Sequence, residues 1–279
     1  MKDIKNRIKS VESTMQITKA MELVASSKLR KAKERAEKNK PYFHTLYETI
    51  SEIAAANKSE SSQFLKAKSE IKKSLFIIIS GDRGLAGGYN SNIFKLAENQ
   101  MKDKTPVIIC VGKKTIEYFS KKPYEIIASY PNTAENITMD DSIEIGTIMA
   151  QNFLKGDFDE AFIVFTTFVS ALNQQPTALK LLPLDFCVKD NSSNEFVSYE
   201  PSPSVVFSEL VPQFLSGMIY GSVCESFVSE QAARQSAMKS ASDNAQQMVD
   251  DLNLKFNRAR QGAITQEITE IVAGANASS

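Results

Sequence analysis

The residues best placed to do chemistry are the glycines of GDRGLAGG, residues 81–88. A continuous apolar run (74–80, SLFIIIS) precedes them, and a helical pattern from Tyr89 to about Met101 follows. A strand, a glycine loop and a helix N-terminus in that order can aim backbone N–H groups at a phosphate. The loop has no Lys-Ser or Lys-Thr pair after its last glycine, and its glycines are not spaced G-x-G-x-x-G. A tight strand-to-helix turn with positive φ accounts for the same residues without a ligand.

Other candidate groups are sparser. The cluster KLRKAKER (28–35) carries Lys28, Arg30 and Lys31, and suits either an acidic protein surface, a nucleic acid or a solvated helix face. It has no interleaved aromatics, which disfavours single-stranded nucleic acid. Asp250 and Asp251, with Glu267 and Glu270, read as helix-surface charges rather than an acid/base pair. Cys110, Cys187 and Cys224 have no metal-like spacing, and an odd count fits a reducing compartment. There is one histidine, His44, so a triad or a His-based zinc site is improbable. No apolar run approaches the roughly 20 residues of a membrane span.

The elements that must position these groups divide into two ends and a middle. Ile4, Ile8, Val11, Met15, Thr18, Glu22, Ala25, Leu29, Ala32 and Ala36 step by four and three. Met238, Ser242, Ala245, Val249, Leu252, Phe256, Ala259, Ala263 and Gln266 repeat the pattern near the other end. Such stripes predict supercoiled helices that bury against each other. Residues 1–57 are expected to form one shaft helix, continuing through Pro41 with a kink, and 208–279 the other, with Ser208 as N-cap and Pro212 in or near the first turn. At 1.5 Å per residue these reach roughly 85 Å and roughly 105 Å, so the second should overhang the first. Residues 1–40 carry twelve Lys/Arg against five Asp/Glu, a net of +7, in a chain of zero net charge.

The middle, 58–207, alternates apolar strand-like runs with helical patterns. Strands are expected near 74–80, 106–111, 125–129 and 161–167, with an edge strand over 179–188. That alternation predicts a Rossmann-like parallel sheet covered by helices. The fold class is therefore α/β plus a long antiparallel two-helix coiled coil made by the two termini.

Four stretches carry a family resemblance. ITKAMELVASSKLR (17–30), GDRGLAGGYN (81–90), SEQAARQSAMK (229–239) and NRARQGAITQEITEI (257–271) resemble the gamma subunit of F-type ATP synthases, in order along the whole chain. The family often has Cys where Ala86 stands, and the chain has no cysteine-pair insertion of the redox-regulated kind. The resemblance implies a non-catalytic rotor with no cofactor and no metal, one copy per complex. Its terminal helices would turn inside a ring of three alpha and three beta subunits. Its α/β middle would be a foot on the epsilon subunit and the c-subunit ring. Met21 would lie near the lever loops of the beta subunits, with Lys28, Arg30 and Lys31 on the same basic shaft. Arg260 and Gln261 would meet a loop of one beta subunit, while Arg234, Thr265, Gln266 and Glu267 make further contacts. Tyr199 and Glu200 would face the c ring. The absence of a presequence favours a bacterial protein at the cytoplasmic face of the plasma membrane, coupled to protons or sodium ions. The rival readings are a nucleotide-binding α/β enzyme with helical arms and a coiled-coil scaffold for nucleic acid.

Overall fold

The computed structural model describes residues 1–56, 63–66, 68, 70–185, 200 and 202–277. The chain forms two compact units, Ser27–Ala233 and the pairing of Met1–Ser26 with Arg234–Ser279. Helix α1 (Lys2–Ala56) and helix α6 (Pro203–Ala277) each contribute to both.

The larger unit is built on five strands: β1 (Lys73–Ile79), β2 (Thr105–Val111), β3 (Glu125–Tyr130), β4 (Glu160–Phe168) and β5 (Gln174–Leu182). Their order is β3-β2-β1-β4-β5, and the first four are parallel. Helices α2 (Tyr89–Met101) and α3 (Lys113–Phe119) connect β1 to β2 and β2 to β3. A short α4 (Thr133–Asn136) and α5 (Met139–Lys155) carry the chain from β3 across to β4. Side chains alternate across a strand, so β1 splits into two sets. Leu75, Ile77 and Ile79 pack with Ile145 and Met149 of α5, Ile50 and Ile53 of α1, and Phe207, Leu215 and Ile219 of α6. Phe76 and Ile78 pack with Ile93, Phe94 and Ala97 of α2 and with Phe119 of α3. Burial on both faces is why β1 reads as an unbroken apolar run.

Helix ends follow their local chemistry. Thr138 and Asp141 form a reciprocal capping box at the start of α5, and Gly156 closes it in the left-handed conformation. Asp159 pins the base of the sheet, accepting from the backbone N–H groups of Lys72 (2.7 Å) and Lys73 (3.0 Å) and from Lys68 Nζ (2.6 Å). Beside it, the buried Glu160 accepts from Ser74 Oγ and Lys104 Nζ, both at 2.7 Å.

Two sequence expectations need correcting. The edge strand is Gln174–Leu182, where 179–188 was expected (186–188 lie outside the described residues), and it runs antiparallel through the hairpin at Val169–Asn173. Its first half, QQPT, is polar because an edge strand needs little apolar surface, so hydropathy does not reveal it. Helix α6 begins at Pro203, not at Ser208. Ser202 caps it, accepting from Val205 N through its hydroxyl (3.4 Å) and from Val206 N through its carbonyl (3.1 Å). Ser208 sits inside the helix with its hydroxyl donated to Ser204 O, and Pro212 is likewise interior.

In the other unit the two stripes meet. Thr18 Oγ1 lies 2.7 Å from Ser242 Oγ. Ala25, Met238, Ser242, Ala245 and Val249 are buried, and Ile4, Ile8, Val11 and Met15 are half-buried. Small side chains let the helices approach closely, but they bury little area, so the seam is thin. Leu252, Phe256, Ala259 and Ala263 are half-buried, and every residue whose burial is described beyond Ala263 is exposed. Gln266 therefore lies off the seam, contrary to the sequence pattern: the stripe on α6 outlasts its partner.

Two outcomes are expected. Gly112 has φ +92°, and a Cβ there would collide with the Ser80 carbonyl oxygen. Gly112→Ala should destabilise the sheet unit by about 3 kcal/mol or more, read by chemical denaturation. Burial pushes the Asp159 carboxyl up, but the Lys68 ammonium and the N–H groups of Lys73 and Lys72 together outweigh it and hold it at about 2. An ordinary aspartate ionises near 3.9. The stability from this carboxylate is thus present above about pH 4 and is lost as the pH falls toward about 2. Asp159→Asn should lower stability at neutral pH and flatten the acid loss in that window, as followed by circular dichroism.

Candidate functional site

In an open α/β sheet, ligands bind where neighbouring connections leave in opposite directions, outside the carboxyl ends of the strands. Here that crevice lies between β1 and β4, and the glycine loop borders it. The loop is held from within. Gly81 N donates to Asn90 Oδ1 (3.0 Å), and Asn90 Nδ2 donates to Arg83 O (3.3 Å). Asp82 Oδ1 accepts from Lys113 N (2.9 Å) and Asn132 N (2.8 Å), tying the loop to the ends of β2 and β3. Leu85 and Gly87 take positive φ, as the tight turn requires.

The crevice itself is filled by one turn of α6. The β1–β4 ladder ends at Ile78 and Val164, but β4 continues to Phe168. Thr166 stands opposite Pro176, which has no N–H to share, and turns its own N–H and C=O away from β5. Ser226 Oγ accepts from Thr166 N (3.2 Å), and Ser229 Oγ donates to Thr166 O (3.1 Å). Glu225 Oε1 accepts from Phe168 N (3.1 Å), and Ser226 Oγ also meets Tyr89 OH (2.7 Å). Glu230 packs so tightly on the loop that a Cβ on Gly81 would lie 2.6 Å from its Oε1. The place where a doubly wound sheet takes a phosphate thus holds a buried carboxylate, which excludes an anion by volume and by charge.

In the sequence, Ser229 and Glu230 stand out only as part of the family stretch 229–239, and Ser226 is not singled out. The available signal is ESFVSE (225–230), a polar patch on a helix that is apolar at Phe207, Val211, Leu215, Ile219 and Val223.

Other candidate chemistry is also structural. Burial pushes the Cys110 thiol up to about 12. Burial likewise raises Cys224, against the pull of the Arg35 guanidinium. Cys187 lies outside the described residues. His44 is exposed on α1, 3.1 Å from Glu48. At the opposite end of the sheet a cleft of about 890 Å³ collects Lys68, Lys72 and Lys73, but Asp159, Glu70 and Glu125 face them. Among the described residues no group of His, Cys, Asp and Glu is arranged to hold a metal ion, and no helix is long and apolar enough to cross a membrane.

The residues expected to touch partners fall into three groups. Arg30 and Lys31 are exposed on α1, whereas the Lys28 ammonium is paired with Glu135 of α4. Further along α1, Arg35 donates to Tyr220 OH and to the Ile137 carbonyl. In the helix-pair unit, Met21 is half-buried and Arg234 is buried at 9 % exposure, so little of that arginine is offered to a partner. Arg260, Gln261, Thr265, Gln266 and Glu267 are all exposed on α6. Glu200 is exposed, and Tyr199 lies outside the described residues.

Fold and surface together define an α/β body whose switch-point crevice is closed by its own helix, and a second unit that is a pair of long helices. A sequence model described as ATP synthase matches residues 1–277. The chain is 49 % identical to the ATP synthase gamma chain of Ruminococcus albus, covering 97 % of this chain and 96 % of that one. It is 43 % identical to the sodium-ion-specific ATP synthase gamma chain of Acetobacterium woodii, covering 99 % and 98 %. Among solved structures, it resembles a chain of the Euglena gracilis mitochondrial ATP synthase, in a structure of OSCP, F1 and c-ring. That likeness has a TM-score of 0.67 at 16 % identity, over 99 % of this chain and 93 % of that one. A chain of the Tetrahymena thermophila central stalk and c-ring is similar with a TM-score of 0.60 at 21 % identity, over 81 % and 99 %. The protein belongs to the ATP synthase gamma-chain family, whose members are non-catalytic subunits.

A closed crevice has a direct consequence. Equilibrium dialysis of the isolated chain against ATP should show no saturable binding. A micromolar dissociation constant would mean that the α6 turn leaves its seat.

Proposed function

We propose that this chain is the central rotor stalk of an F-type ATP synthase that moves protons or sodium ions. Full-length membership of the gamma-chain family carries this reading. The helix pair enters a ring of three alpha and three beta subunits. The α/β body stands on the c-subunit ring and contacts the epsilon subunit at the cytoplasmic face of a bacterial plasma membrane.

The mechanism needs no reactive group from this chain. A single asymmetric shaft cannot touch three identical beta subunits in the same way. Each set of contacts favours one conformation of its beta subunit, and that difference is a coupling free energy between shaft angle and nucleotide affinity. Turning the shaft moves each catalytic site through binding, reaction and release, and reciprocity lets hydrolysis turn it back. Exposed Arg30 and Lys31 attract acidic lever loops, with Lys28 and Met21 close by. Surface ion pairs of about 0–1 kcal/mol can exchange as the shaft turns. Arg260, Gln261, Thr265, Gln266 and Glu267 make contacts along the C-terminal part of α6, with the mostly buried Arg234 contributing at its exposed edge. That end also presents Ile264, Ile268, Ile271 and Val272, all exposed, as an apolar bearing surface. Tyr199 and Glu200 meet the c ring.

The direct test mixes the purified chain with the alpha and beta subunits of its own organism and measures mass and composition. One copy joined to six others is expected, and no association would refute the reading. Within such a complex, rebuilt with its membrane sector, Met21→Lys should lower ATP-driven ion pumping relative to hydrolysis, because an added cation holds an acidic lever too firmly. Pumping equal to wild type would remove Met21 from the lever contact.

A further inference from the structure

Ser226 and Ser229 do more than fill a crevice. They stand one turn apart on α6, both fully buried, and pair the N–H and the C=O of one residue, Thr166. Glu225 takes the next inward-facing donor, Phe168 N. Where β1 leaves the sheet, these three side chains continue its ladder, so α6 is hydrogen-bonded to β4 much as a strand would be. The contrast with the rest of the helix is physical. Phe207, Val211, Leu215, Ile219 and Val223 bind α6 to the sheet by apolar packing. Apolar packing resists separation and large rotation, but it has no directional term, so it defines the angle of a helix about its own axis less sharply than hydrogen bonds do. Hydrogen bonds weaken steeply with misalignment and oppose that rotation directly. Breaking these would also strand buried backbone groups away from water, which makes slippage costly.

We infer that the turn holding Glu225, Ser226 and Ser229 is the torque lock between α6 and the sheet, with Ser226 and Ser229 as its positioning residues. This rests on the rotor reading above. Load applied to the α/β body reaches α6 through these bonds, and the apolar contacts keep the surfaces together while they hold. Arg35 ties α1 to Tyr220 of α6 and to the Ile137 carbonyl, and Lys28 ties it to Glu135 of α4, so these bonds bypass β4.

The test uses the full chain in the assembled complex, immobilised by its beta subunits and driven by ATP, with Cys187→Ser to leave one labelling site. A bead is attached either at Leu172→Cys, on the β4–β5 hairpin, or at His44→Cys, on α1. Leu172 is 91 % exposed and the His44 side chain 74 % exposed. Ser226→Ala with Ser229→Ala should cut the stall torque read at Leu172 at least twofold and leave the torque at His44 and the unloaded hydrolysis rate unchanged. If the double variant does not assemble, Ser226→Ala alone is compared in the same way. Equal torque at Leu172 in variant and wild type overturns the inference. An equal loss at both attachment points also overturns it, because general loosening would affect them alike. A wild-type complex that turns neither bead would refute the rotor reading, and this inference with it.

Discussion

The structure depends on β4 reaching four residues past the last rung it shares with β1. A parallel strand that outruns its neighbour leaves buried N–H and C=O groups, and a protein interior does not tolerate them unpaired. Here α6 supplies the missing partners from Glu225, Ser226 and Ser229. That substitution fixes the place of α6 on the sheet and closes the crevice at the same time. A fold whose usual opening takes a phosphate becomes a solid body, because the helix that completes the ladder brings the Glu230 carboxylate onto the glycine loop.

The glycine loop is reinterpreted by the same constraint. Gly81 is small because Glu230 lies against it, and Gly87 turns because the chain must reverse from β1 into α2. Asp82, the one acid of the loop, is spent on the backbone of Lys113 and Asn132. Gly81 and Asp82 are thus committed to bonds within the protein, although the loop's composition resembles loops that hold a ligand.

The helix pair follows a different logic. Its seam is made from Thr18, Ala25, Ser242 and Ala245 rather than from leucines, so neighbouring backbones come close and the pair stays slender. A thin seam buries little apolar area, and the exposed faces keep their charges in water. These properties suit a rod whose outer contacts change continually, since none of them needs to be strong.

Much of this was legible in the residues. Leu75, Ile77 and Ile79 against Phe76 and Ile78 announced a strand buried on both faces, and the four-and-three stepping from Ile4 to Ala36 marked the shaft helix. Local chemistry leaves such traces because burial repeats with the period of the element. The polar half of β5 was not legible, since an edge strand is stabilised by its ladder rather than by its side chains. Nor was the start of α6, where Ser202 rather than Ser208 makes the cap; both serines suit the role, and only the backbone selects one. Gln266 continued the stripe in sequence but is exposed and bonds along its own helix to Glu270.

The sequence by itself determined the long helices and the central buried strands, which of their faces are apolar, and to which family the chain belongs. Tertiary structure alone decided that the crevice is closed, that Lys28 is paired with Glu135, and that Arg234 is turned inward. Those outcomes join residues far apart in the chain, such as Gly81 with Glu230 and Thr166 with Ser226. A periodic pattern records which side of an element is buried, and it carries no information about which distant polar group will be buried against it.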